Sequence, residues 1–150
     1  MMASGTVRTH VLPTLLLAVL CFLAVAVAPA IAEPQTITAR EANRQAEAGQ
    51  LLLVDIRSRS EWRETGLAAP ALPISMHENG FLEKLAALRS ENPGKPVALI
   101  CATGGRSSWL QRELEKRSIT GIIDVSEGML GNNGKPGWIA GGLPLKPFDG

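Results

Sequence analysis

One stretch of this chain carries the residue types of nucleophilic catalysis: Leu99-Ile100-Cys101-Ala102-Thr103-Gly104-Gly105-Arg106-Ser107-Ser108. The apolar run over 96–100 reads as a buried strand that stops at a cysteine. A helical pattern over 107–117 follows two glycines and an arginine. A helix N-terminus carries partial positive charge, and the N–H groups of a tight loop beside it have few other partners. Both favour ionised sulfur, the nucleophilic form of cysteine. Four residues separate Cys101 from Arg106. A loop of that size lets successive N–H groups turn inward as an anion-binding nest. Gly104 and Gly105 permit positive φ, and Thr103 and Ser107 offer hydroxyls. The plainer alternative is an inert buried cysteine at a strand end. The Gly-Gly-Arg-Ser run directly after it favours the reactive reading.

The elements that position this loop follow from periodicity and punctuation. Thr38-Ala39-Arg40-Glu41 fits a capping box, which predicts a helix over 39–48 closed by Gly49. The run over 51–56, apolar except for Asp55, reads as a strand. Ser58 and Glu61 form a second capping box before a short helix over 60–64. A turn-rich connection over 66–73 leads to a strand over 72–76, and Asn79 is placed to cap a helix over 80–88. Pro93-Gly94-Lys95-Pro96 is a break. Gly121 ends the helix behind the cysteine loop, and 122–125 reads as another strand. The tail, 127–150, is rich in Gly and Pro and holds Trp138. Strands alternating with helices predict an α/β domain with a mostly parallel sheet and helices on both faces. Ligands of such sheets bind beyond the carboxyl ends of the strands, where Asp55 and Cys101 both fall.

The 150 residues suit one domain. Residues 1–32 read as a secretory signal peptide: Arg8 and His10, then a run over 11–28 that is apolar apart from Thr14 and entered at Pro13, then Ala30-Ile31-Ala32 as a small-x-small cleavage site. An uncleaved membrane anchor is the alternative; the core of the run, 15–28, falls short of the roughly 20 residues of a spanning helix. This predicts a domain over 33–150, exported to a periplasm. Removing Arg8 leaves 14 basic and 14 acidic residues. No basic stripe or aromatic platform points to nucleic acid. Cys21 falls in the signal segment, so Cys101 is the lone cysteine of the exported domain, either an intermolecular partner or a reactive group. With His77 it supplies two ligands, too few for a structural zinc site.

Three motifs in order resemble the rhodanese (sulfurtransferase) family. The active loop C-x-x-G-x-R-S is matched by Cys101, Gly104, Arg106 and Ser107. A strand ending in D-[VI]-R before an acidic-aromatic pair is matched by Asp55-Ile56-Arg57 and Glu61-Trp62. The closing Trp and G-L-P pattern is matched by Trp138, Gly142, Leu143, Pro144 and Leu145. The resemblance covers about 35–147. The chain departs from it at Gly66-Leu67-Ala68, where many members have a histidine after the glycine. It also carries a longer connection before Trp138, the insertion over 128–137, expected to border the mouth of the site.

The resemblance implies a rhodanese-like fold and a double displacement that needs no metal or organic cofactor. Cys101 would take the outer sulfur of an anion such as thiosulfate as a persulfide, then pass it to cyanide or a thiol. Ala102, Thr103, Gly104, Gly105, Arg106 and Ser107 would form the anion-binding loop, with Asp55 and Arg57 in support. Arg106 either steers the donor or fixes the loop by pairing with Asp55 or Glu61. A C-x5-R phosphatase or arsenate reductase is a second reading, but this loop is one residue short. A non-catalytic module, forming mixed disulfides with a protein thiol through Cys101, is a third. Trp62, Trp109 and Trp138 are expected in the core, His77 and Lys135 in solvent, and 146–150 as an exposed end.

Overall fold

The computed structural model describes residues 35–150, together with residues 1 and 2. The expected signal segment, 1–32, therefore lies outside the described residues apart from its first two. Among the described residues no helix is long and apolar enough to cross a membrane.

The elements run β1 (Gln35–Ile37), α1 (Ala39–Glu47), β2 (Leu52–Asp55), α2 (Arg59–Thr65), β3 (Leu67–Ala68), β4 (Leu72–Pro73), α3 (Phe81–Glu91), β5 (Val97–Ile100), α4 (Gly105–Lys116), β6 (Ile122–Val125), α5 (Gly137–Ala140) and β7 (Leu145–Lys146). The main sheet has the order β1-β6-β5-β2-β4, and every pairing in it is parallel. β3 and β7 form a separate antiparallel pair.

The strands are apolar on both faces because both faces are covered. Side chains alternate across a strand. Leu53, Ala98, Ile100, Ile123 and Val125 therefore pack on one side with Ala39 and Ala42 of α1 and Trp138 of α5. Val54, Val97, Leu99 and Ile122 pack on the other with Phe81 and Leu85 of α3 and Leu110 and Leu114 of α4. Each large aliphatic side chain buried this way contributes about 1.5–3 kcal/mol.

Several local expectations are corrected. Asn79 does not cap α3; Gly80 does, in a left-handed conformation with φ 78° and no side-chain bond. Thr38 accepts from Glu41 N, but the Glu41 carboxylate turns to Arg44 and Gln45, so that box is half formed. The Ser58–Glu61 box is complete. The strand expected over 72–76 keeps only Leu72 and Pro73. Trp109 is 51% exposed rather than in the core, because it projects from α4 beyond the face that Leu110 and Leu114 bury; Trp62 and Trp138 are buried as expected. Residues 147, 149 and 150 are exposed as expected, but Phe148 among them is half-buried and packs edge-on against Trp62, with ring centroids 5.0 Å apart.

Candidate active site

The connection leaving β2 goes through α2 to β4 on one side of the sheet. The connection leaving β5 goes through α4 to β6 on the other. A crevice must open where these loops part, outside the carboxyl ends of β2 and β5, which is where open α/β sheets bind ligands. Cys101 directly follows β5 in this crevice and is 1% exposed. The start of α2 faces it across the gap.

α4 opens inside the loop, at Gly105, two residues earlier than the sequence pattern indicated. Arg106 and Ser107 are thus in its first turn. Gly104 caps it with φ 84°, and a Cβ there would collide with the Ser126 carbonyl. Only glycine fits both the backbone angle and that approach. Ser107 is fully buried, and its Oγ lies 3.4 Å from Cys101 Sγ.

The insertion over 128–137 holds the loop from behind. Met129 N donates to the Cys101 carbonyl at 2.9 Å and Leu130 N to the Ala102 carbonyl at 2.8 Å. Asn132 Nδ2 donates to the Thr103 carbonyl at 2.6 Å and to the Ser126 carbonyl at 2.6 Å. Three successive carbonyls are therefore turned toward the insertion. In a planar trans peptide the N–H points opposite to the C=O. The N–H groups of Ala102, Thr103 and Gly104 consequently face away from the insertion, and none donates to a protein acceptor among the described residues. Those of Gly105 and Arg106 open α4 and have no partner within the helix. The result is a run of unspent donors beside the sulfur, the arrangement that holds an anion.

Arg106 does not stand free. Its Nη1 donates to Glu61 Oε2 at 2.9 Å, and its Nη2 to Glu61 Oε1, joining α4 to α2 across the crevice. His77 Nε2 lies 3.1 Å from Arg106 Nη1, a neighbour no sequence spacing indicated. Glu61 raises the hold of Arg106 on its proton, and the Arg106 cation lies within Coulombic reach of Cys101. In return Arg106 holds the Glu61 carboxyl down at about 2, from 4.5. A depressed carboxyl stabilises the fold above its unfolded value and loses that contribution as pH falls through the folded value. The urea midpoint of wild type should therefore exceed that of Glu61→Gln above pH 4.5, and the gap should close as pH falls toward 2. A gap constant across this window would show that the pair does not stabilise the fold.

A match to the family model described as Rhodanese-like domain spans residues 38–134, more than half of the chain. The chain belongs to the rhodanese-like family. Solved structures agree. Rv0390 from M. tuberculosis is 25% identical, with a TM-score of 0.58 over 78% of this chain and 100% of its own. A rhodanese-like domain protein from Staphylococcus aureus is 26% identical, with a TM-score of 0.55 over 75% and 98%. The polysulfide-sulfur transferase homodimer from Wolinella succinogenes shares the fold at 24% identity, with a TM-score of 0.57 over 77% and 80%. Family membership supports sulfur transfer in general, or a rhodanese-like module.

Within this rhodanese-like domain, Asp55 and Arg57 form a buried pair. Arg57 Nη2 donates to Asp55 Oδ2 at 2.7 Å and Nε to Oδ1 at 3.0 Å. The remaining guanidinium donors reach Thr65 Oγ1 and the Gly66 carbonyl, which fixes the end of α2. Neither side chain bonds to the cysteine loop. Their link to it runs through the β2–β5 ladder, where Asp55 lies opposite Ile100 and Ile56 N donates to the Ile100 carbonyl. Leu67, in the place of the family's frequent histidine, is 2% exposed and pairs with Lys146. A cavity of about 620 Å³ lined by Arg89, Lys95 and Thr120 lies at the opposite ends of β5 and β6, away from Cys101.

Proposed function

We propose that this protein is a sulfurtransferase that carries sulfane sulfur on Cys101, from an anionic donor such as thiosulfate to a thiophilic acceptor, cyanide or a thiol. The observation that carries the reading is the set of N–H groups over 102–106 left without protein acceptors around a single thiol. In the first step the Cys101 thiolate attacks the outer sulfur of thiosulfate. A Cys101 S–S bond forms, the donor S–S bond breaks, and sulfite leaves with the bonding pair. In the second step the acceptor attacks the outer sulfur of the persulfide and the Cys101 thiolate departs. The covalent intermediate divides one transfer into two easier displacements. The loop N–H groups stabilise the anionic sulfur of both states without reorganising. Arg106, fixed by Glu61, adds a cation at the mouth.

Burial of Cys101 to 1% exposure argues against a mixed disulfide with a bulky protein partner. The four-residue span to Arg106 argues against a phosphate-sized pocket. The apolar run over 11–28 and Ala30-Ile31-Ala32 support export to a periplasm, with the domain over 33–150 released.

Steady-state kinetics test the reading. Double-reciprocal plots at several cyanide concentrations should be parallel, with thiocyanate and sulfite formed in equal amounts. Hydrolysis of a phenyl phosphate ester with no thiocyanate would replace it. The role of the insertion has its own test. Asn132→Asp keeps the shape but puts an acceptor where Thr103 needs a donor. Loss of that bond, at about 1–3 kcal/mol, predicts sulfite release slowed roughly fivefold or more in a single turnover. An unchanged rate would mean that the loop holds its shape without the insertion.

A further inference from the structure

His77 is exposed at the mouth of the crevice, yet its backbone is fixed. Ile74 N donates to the Asp55 carbonyl and Met76 N to the Ile56 carbonyl, both at 3.1 Å, so the segment after β4 continues along the end of β2. His77 N donates to Ser75 Oγ at 3.2 Å, and Ser75 is buried. The next residue, Glu78, is tied to Arg59 of α2 and to Lys84 of α3. The ring is thereby delivered to Arg106 of α4, whose Nη1 lies 3.1 Å from His77 Nε2.

A guanidinium has five N–H donors and no acceptor. In this contact Arg106 Nη1 must donate, and His77 Nε2 must accept with its lone pair. His77 is therefore neutral here, with its proton on Nδ1, because the bond made by one ring nitrogen decides where the proton sits. Arg106 Nη1 spends one N–H on Glu61 Oε2 and one on His77, and Nη2 spends one on Glu61 Oε1. The Nε–H and the second Nη2–H have no acceptor among the described residues. These two lie side by side on the edge of the plane away from His77, spaced for two oxygens of one oxyanion. Glu61 holds the end of the guanidinium and His77 one flank, which leaves the other flank open.

We propose that His77 is a positioning residue for the donor half-reaction: its neutral ring holds Arg106 so that the open Nε–Nη2 edge receives the oxyanion end of the sulfur donor. The inference rests on the sulfur-transfer reading and narrows its donor to sulfane sulfur bonded to an oxyanion group. A proton on Nε2 removes the lone pair and sets two cations face to face, so the hold is lost. The charged groups around the ring are Arg106 in contact with it, Glu61 of α2 behind Arg106, and Glu78 with its partners Arg59 and Lys84. Glu61, held at about 2, stays ionised while the ring gains its proton.

The test uses the full-length protein with His77→Ala, which removes the acceptor, and His77→Gln, whose Oε1 is an acceptor that does not titrate. In a double displacement, kcat/KM for each substrate reports its own half-reaction. Loss of one hydrogen bond predicts that kcat/KM for thiosulfate falls roughly three- to tenfold in His77→Ala. The value for cyanide should not move, and His77→Gln should restore most of the loss. As pH falls, the advantage of the native protein over His77→Ala should close, while that of His77→Gln persists. Ionisation of Cys101 is common to all three proteins and cancels in the ratios. An unchanged thiosulfate value in His77→Ala overturns the proposal. So does an equal fall for cyanide, or a His77→Gln that behaves as His77→Ala does. If the native protein takes no sulfur from thiosulfate, the sulfur-transfer reading fails and nitrogen NMR of the ring decides the rest. A bare Nε2 with the proton on Nδ1 keeps the hold of His77 on Arg106, and a neutral ring with its proton on Nε2 overturns it.

Discussion

Cys101→Ser should take up no sulfur from thiosulfate and release no thiocyanate, a loss on the order of 10³-fold or more. Serine has the same shape with a smaller heteroatom, but its hydroxyl does not ionise near neutral pH. The loop N–H groups then have no anion to stabilise, and the first displacement has no nucleophile. Stability should change by about 1 kcal/mol or less, because the new hydroxyl lies beside Ser107 Oγ, which already approaches position 101 at 3.4 Å. A folded variant without turnover assigns the reaction to the sulfur. Retained turnover would mean that another group carries it.

Arg57→Ala should give the largest loss of stability among single changes near the site, about 3–5 kcal/mol. Arg57 is 1% exposed and Asp55 is fully buried. Truncation leaves a carboxylate in the core with no counter-charge, and it frees Thr65 and the Gly66 carbonyl from the guanidinium. A domain of this size has roughly 5–15 kcal/mol in total, so the variant should melt far below wild type or fail to accumulate. The damage should start where β2 meets α2 and spread to Glu61 and its partner Arg106. Denaturant unfolding measures it. A loss below about 1 kcal/mol would show that the pair is solvated in the native state and that the ladder alone holds β2 in place. Because the pair is structural, sulfur loading per folded molecule should fall much less than in Cys101→Ser.

The heart of the site is legible in the sequence because its signals are local. An apolar run ending at Cys101, two glycines and a helical pattern specify strand, loop and helix within twenty residues. The Ser58–Glu61 box is equally local and is complete in the structure. What is not legible depends on partners far along the chain. Thr103 and Asn132 are 29 residues apart, as are His77 and Arg106, and no spacing rule joins them. β1, β3 and β7 have two or three residues each, too few for periodicity to register. The Thr38 box is half formed because Arg44 and Gln45, on the next turn, capture the Glu41 carboxylate. Meanwhile the Ala39 N–H is taken by Glu127, 88 residues away. Trp109 shows the limit of helical periodicity. It marks a face of α4, but only the fold decides whether anything covers that face.

The measurement that bears most directly on the central claim is the intact mass of the purified protein after thiosulfate, and again after cyanide. A gain of one sulfur atom at Cys101, lost on adding cyanide as thiocyanate appears, is the predicted result. No gain in folded protein with a free Cys101 thiol would contradict persulfide chemistry with this donor class.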